Sequence, residues 1–194
     1  MKRWILTAAL LITLIGSVCG TYAYTTVSSQ SHNVITSGGV EIIVEEWQET
    51  DHEGRIPFPK EAVNVMPGQQ VSKIVTIRNL DRECFVRACL EVTVTDTEGN
   101  TSVLQLTDVE KLLQWEVDKN FWQQKKDDGK WWYYSCPLAV GDVTEPLFQK
   151  VRFSGREMDN TWQGNTVQIH VKAQAVQSQN NGESALLAAG WPVS

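Results

Sequence analysis

The chain has 194 residues, with 17 Lys and Arg against 23 Asp and Glu, for a net charge of −6. That length suffices for one domain with its own core. The acidic balance, with no basic patch, argues against nucleic acid as a partner, because phosphate binding needs clustered positive charge.

Residues 1–23 read as a secretory signal peptide. Lys2 and Arg3 form a short positive region, Trp4 to Ile15 is uncharged and mainly apolar, and Gly16 breaks the run. Thr21 and Ala23 then supply small residues for a cut between Ala23 and Tyr24. The rival reading is a retained anchor, but a spanning helix takes about 20 apolar residues and this run is shorter. Lipidation of Cys19 is a third reading, opposed by Val18, where such a signal takes Gly or Ala. Loss of residues 1–23 removes Lys2 and Arg3 and leaves 15 basic against 23 acidic residues, net −8.

An export route permits disulfides. Beyond the cut stand Cys84, Cys89 and Cys136, an odd number, with no CxxC. Cys84 and Cys89 fall on opposite faces of one extended segment and cannot pair within it. A Cys89–Cys136 bond and free thiols both stay open.

Residues 24–37 form an extended N-terminal arm, polar and free of Pro, with Tyr24, Val27, Val34 and Ile35 as its apolar members. It is either a flexible arm or an edge strand awaiting a partner. Ser37-Gly38-Gly39 is a turn, and Val40, Ile42 and Val44 then alternate inward. Glu46 to Lys60 reads as an acidic, solvated loop, with Glu49, His52 and Glu53 as weak metal candidates. Met66-Pro67-Gly68-Gln69 is a turn. Val71 to Asn79 is a strand, and Leu80 to Glu83 connects it, as a hairpin neighbour, to the next.

Cys84 to Thr95 is the clearest strand. Cys84, Val86, Ala88, Leu90, Val92 and Val94 make an apolar row, and Phe85, Arg87, Cys89, Glu91, Thr93 and Thr95 a mostly polar one. Burying its larger aliphatic side chains gains roughly 1.5–3 kcal/mol each. Fixing each backbone unit costs ~1–2 kcal/mol. The strand therefore needs a second apolar layer over its dry face.

A turn at Thr97 to Asn100 follows. Val103 to Leu113 is a short helix that Asp108 can cap, and Leu113 to Val117 can open a strand instead. Lys125 to Gly129 is a hairpin tip. In Trp131-Trp132-Tyr133-Tyr134 a strand puts Trp131 and Tyr133 on one face and Trp132 and Tyr134 on the other. Leu147 to Phe153 is a strand with Leu147, Val151 and Phe153 inward. Thr166 to Val176 is a second clean alternation, with Val167, Ile169, Val171, Ala173 and Ala175 dry, and His170 a solvated histidine on the wet row. In the tail, residues 181–194, Glu183 to Ala189 can form a short helix before Gly190. Many strands with turns between them and little helix predict an all-β fold: an antiparallel two-sheet sandwich of jelly-roll type over residues 38–180.

The order of these pieces resembles one family. The signal peptide ends in a Thr-x-Ala-Tyr segment, followed by Ser37-Gly38-Gly39-Val40-Glu41-Ile42, a Pro-Gly turn, and a strand ending at Asn79. Phe85-Val86-Arg87, Trp132-Tyr133-Tyr134, Leu138 to Gly141, Thr144-Glu145-Pro146-Leu147-Phe148 and Ala175-Val176-Gln177 come after. Together they are similar to the TasA/camelysin family of exported Gram-positive proteins, whose signals are cut by a signal peptidase of the SipW type. The resemblance covers most of the chain. It implies a jelly-roll domain, an extracellular or cell-surface location, and self-association into biofilm-matrix fibres, with the mature N-terminal arm of one subunit completing the sheet of the next. One departure is that Tyr24 is followed by Thr25-Thr26, where the family usually carries an aromatic such as Phe.

Three functions follow as expectations. The first is a secreted structural subunit, or an accessory of such fibres, assembling through Tyr24, Val27, Val34 and Ile35. The second is a camelysin-like metalloendopeptidase, but no HExxH is present and His32, His52 and His170 lie in separate segments. The third is a carbohydrate-binding or adhesive module built on Trp131, Trp132 and the other tryptophans. The residues offer no catalytic triad and call for no cofactor.

Overall fold

The computed structural model describes residues 25–29, 34–37, 39–59, 63–158 and 162–192; the expected signal peptide, its cleavage point and Tyr24 lie outside them. The elements in chain order are β1 (Thr25–Ser29), β2 (Val34–Ser37), β3 (Ile42–Thr50), β4 (Gly54–Pro57), β5 (Val63–Val65), β6 (Gln70–Ser72) and β7 (Ile74–Asn79). Then follow β8 (Cys84–Thr95), β9 (Thr101–Val103), α1 (Leu106–Leu112), β10 (Leu113–Trp115), β11 (Trp122–Lys125), β12 (Asp128–Tyr134), β13 (Lys150–Phe153) and β14 (Thr166–Gln177). The chain is all-β, with mainly antiparallel sheets closed over one another as a sandwich. Among the described residues no helix is long and apolar enough to cross a membrane.

The larger layer is built on β8 and β14. They pair antiparallel over their whole lengths, from Cys84 opposite Gln177 to Thr95 opposite Thr166. The other side of β8 takes β12 at Arg87 and Ala88 and β9 at Thr93 to Thr95, with β11 beyond β12. The other side of β14 takes β1 and β2 in parallel, with β5 beyond β1.

The second layer contains β4-β3-β7 and β10-β13-β6. These two sheets are stitched together through β7. The Lys73 amide donates to Gln149 O, that of Val75 to Phe148 O, that of Thr144 to Ile77 O and that of Asn79 to Asp142 O. Residues 142–149 thus run antiparallel to β7 and lead into β13. Lys73 marks the break between β6 and β7. It is buried, its Nζ lies 2.9 Å from Glu46 Oε2 and 4.3 Å from the centre of the Phe58 ring. Burial lowers its pKa, and Glu46 opposes that shift.

The core lies between the layers. The dry rows of β8 and β14 (Val86, Ala88, Val92, Val167, Ile169, Val171) face Ile42, Val44, Val75, Ile77, Leu147, Val151 and Phe153, all buried. The alternation expected at Val40 to Val44 holds, and that of Thr166 to Val176 holds as far as Ala173, beyond which Gln174, expected on the wet row, is buried. β13 begins only at Lys150, and Phe148 is buried next to Leu147.

Several expectations need correction. Glu46 to Thr50 is strand rather than loop: β3 continues to Thr50 and turns at residues 51–53 into β4. Its acids are tolerated because Glu45 bonds Arg78 at 2.7 Å and Glu46 meets Lys73. The Leu80 to Glu83 link is no hairpin turn, since β7 pairs with β3 and β8 with β14; it carries the chain from one layer to the other. In α1, Gln105 holds the N-cap position without a side-chain cap bond, and Asp108 lies inside the first turn. Glu183 to Ala189 forms turns, not a helix. The polar row of β8 is not solvated at its start: Phe85, Arg87 and Cys89 are buried.

Candidate functional site

The feature with the clearest chemical consequence is the open side of β14. One side of this strand is saturated by β8 along all twelve residues. On the other, Thr26 to Ser29 pair with Thr166 to Ile169, and Val34 to Ser37 with Ala173 to Val176. Between Ser29 and Val34 the arm advances five positions while β14 advances four, so the two halves differ in register by one residue. Val27 lies in register with both Val167 and Val63. Val34 lies opposite Ala173 and Ile35 opposite Gln174.

β1 is enclosed between β14 and β5. With neighbouring strands 4.7–4.9 Å apart, its place is a slot roughly 10 Å across. Without the arm, the open side of β14 would leave unpaired N–H and C=O groups beside Val167 and Ile169 in this slot and beside Ala173 and Ala175 along β2, all four buried. Such groups have to be paired, and a strand edge is a template for whatever extended chain can reach it. The arm fills this slot within its own chain, and it does so in parallel, whereas β14 meets β8 antiparallel.

The outer face of the same sheet carries a clasp. Arg87 Nε and Nη2 donate to Gln174 Oε1 at 2.8 and 2.6 Å, Nη1 to Tyr133 Oη at 3.1 Å, and Nη2 to Pro192 O at 3.1 Å. Its guanidinium carbon lies 4.4 Å from the Trp131 ring centre and 4.8 Å from that of Trp191. A cation over aromatic faces is held by their negative quadrupole. Tyr133 Oη donates in turn to Asp128 Oδ2 at 2.8 Å, and burial pushes its pKa up. The segment from Ser178 to Pro192 forms a strap over this face. Asn181 closes it, donating to Gln177 O and Ala189 O and accepting from the Ala189 amide. Ala185 and Ala188 pack with Phe85, Cys89, Trp131 and Val176 into a second, smaller core.

The thiols follow from this geometry. Cys84 lies in the main core and Cys89 in the smaller one, while Cys136 is exposed; all three are free. Burial, with the Glu83 charge adding, pushes Cys84 up to about 12. Burial pushes Cys89 up to about 11.

Other expected site residues are not brought together. Glu49, His52 and Glu53 are exposed on and beside the β3–β4 turn. No group of three or more His, Cys, Asp or Glu that could hold a metal ion occurs among the described residues. His170 is half-buried rather than solvated, 3.2 Å from Thr93 Oγ1. Trp131 is not an open platform, since it is buried beneath Arg87, whereas Trp132 on the opposite face is half-buried. Sequence reasoning missed the clasp; its signal was an arginine in a strand row of aromatics, with Trp191 in the tail. No family model matches the chain, and no curated protein or solved structure does so either.

Proposed function

We propose that the protein is a secreted structural subunit of, or an accessory to, an extracellular matrix fibre, assembling by strand donation from its N-terminal arm. The observation that carries this reading is the pairing of β1 and β2 along the otherwise bare side of β14. The arm is joined to the sandwich only through its C-terminal end, next to Gly39, whose positive φ of 71° suits a sharp change of direction. Every backbone bond it makes to its own β14 is available on the β14 of a second copy. Exchange therefore costs little beyond association itself, and one arm passed to the next subunit is a head-to-tail contact, which propagates instead of closing. Parallel pairing is somewhat weaker per residue than antiparallel, which favours the arm over other strands as the one that leaves. Jelly-roll winding, release by a signal peptidase of the SipW type and cell-surface or matrix location belong to the same reading.

The test is a cross-link. Ser28 and Gln168 are register partners, so Ser28→Cys with Gln168→Cys, in a Cys136→Ser background, traps whichever chain supplies the arm. Protein beginning at Tyr24 is incubated to assemble, oxidised and run without reductant. A ladder of covalent multimers is expected, together with fibres by electron microscopy. Fibres whose cross-links all lie within single chains would overturn strand donation.

A further inference from the structure

The strap hangs on one side chain. Asn181 Nδ2 donates to Gln177 O at 2.9 Å and to Ala189 O at 3.1 Å, while its Oδ1 accepts from the Ala189 amide at 2.9 Å. These partners fix which end is nitrogen, because two carbonyls need donors and one N–H needs an acceptor. The next residue is Gly182, and no other Asn in the chain precedes a Gly. We propose that Asn181-Gly182 is a site of spontaneous deamidation, a one-way catch whose conversion to an acid unlatches the strap and bares Cys89.

The chemistry needs only water. Gly182 N gives its proton to solvent base and attacks Asn181 Cγ. The Cγ–Nδ2 bond breaks, and Nδ2 leaves as ammonia with a proton taken from water. A succinimide ring remains, and a second water opens it at either carbonyl, to an aspartate or an isoaspartate. The sum consumes water, releases ammonia and transfers no electrons.

The structure supplies the reactants. Gly182 is exposed, carries no side chain to shield its nitrogen, and among the described residues its N–H has no hydrogen bond. Its φ is 87°, and that of Asn180 is 57°, the only positive φ of a non-Gly residue among those described. Strain of that kind loads the latch toward opening. While it is shut, its three bonds hold the side-chain amide on Gln177 and Ala189. Each local opening lets Cγ turn onto Gly182 N.

The product does not relatch. At neutral pH the new group is an ionised carboxylate, which accepts and cannot donate. Gln177 O and Ala189 O would then face oxygen in place of N–H, and an isoaspartate also lengthens the main chain. Ala185, Ala188 and Trp191 pack with Cys89 in the smaller core, so they come away with the strap. The catch does not involve the arm, and it stands or falls apart from strand donation.

Full-length protein is held at pH 8.5 and 37 °C beside a free peptide of residues 177–185. Converted molecules are separated by ion exchange, since conversion adds a negative charge, and peptide mapping locates the change. Each fraction is then labelled with iodoacetamide. Conversion is expected at Asn181 ahead of every other Asn. Converted molecules are expected to label at Cys89 about tenfold faster, because two lost hydrogen bonds raise the opened population, while Cys84 stays slow. Freshly made Asn181→Asp is expected to label Cys89 at the fast rate without ageing. Four results each overturn the catch: Asn181 intact when the peptide has converted, another Asn converting first, Cys89 no faster in the converted fraction or in the variant, or Cys84 and Cys89 quickening together.

Discussion

Cys84 and Cys89 stand on one strand, yet each is sealed in a different core. Burial holds both thiols protonated, at about 12 and about 11, and the thiolate is the form that reacts. At pH 8, in folded protein beginning at Tyr24, Ellman's reagent is expected to titrate Cys136 alone, with Cys84 and Cys89 appearing only after denaturation. The linkage has a definite sign. The folded values lie above the ordinary thiol value of 9.0, so this contribution is complete below about pH 9 and is lost as pH climbs through 11 and 12. The urea midpoint is therefore expected to be lower at pH 10.5 than at pH 8, and equal midpoints would contradict sealed thiols. The opposite faces of these two residues were legible from spacing alone. Their shared burial was not, because half of the cover comes from a segment about a hundred positions away.

The strap is the element that supplies that cover. Its residues Ala185, Ala188 and Trp191 show no helical or strand period, so no pattern announced that they would pack on Phe85 and Trp131. Trp191 meets Tyr133 edge-on, with ring centres 5.7 Å apart at 83°, and lies over Arg87. Trp191→Ala is expected to cost roughly 1–3 kcal/mol in burial and cation–π attraction. It is also expected to speed alkylation of Cys89 by iodoacetamide while leaving Cys84 slow, a difference that peptide mapping reads directly. Strands were far easier to find than the strap. β8 and β14 alternate so cleanly that their bounds and dry faces came from side-chain order alone, since a one-residue slip would expose the whole row. β3 failed that reading because Glu45 and Glu46 look solvated in isolation, while their partners, Arg78 and Lys73, come from β7 and the break before it.

For the molecule as a whole, the two-layer architecture was readable, since so many alternating segments have no other way to bury one face. Which strands neighbour one another was not, because β14 meets the arm from the other end of the chain. Net charge also acts at this scale. Protein beginning at Tyr24, with 15 basic against 23 acidic residues and net charge −8, repels its own copies, and salt shortens the range of that repulsion from about 30 Å at 0.01 M to about 8 Å at 0.15 M. Fibre growth, followed by light scattering, is expected to quicken across that interval; slower growth in higher salt would point to attraction between unlike charges as the driving contact. The position of β14 also sets a schedule. The strand that β8 and the arm both lean upon follows them in the chain, so the larger sheet has no way to shut before Thr166 to Gln177 has emerged. A polypeptide built in this way keeps its larger layer open until that segment is available to close it.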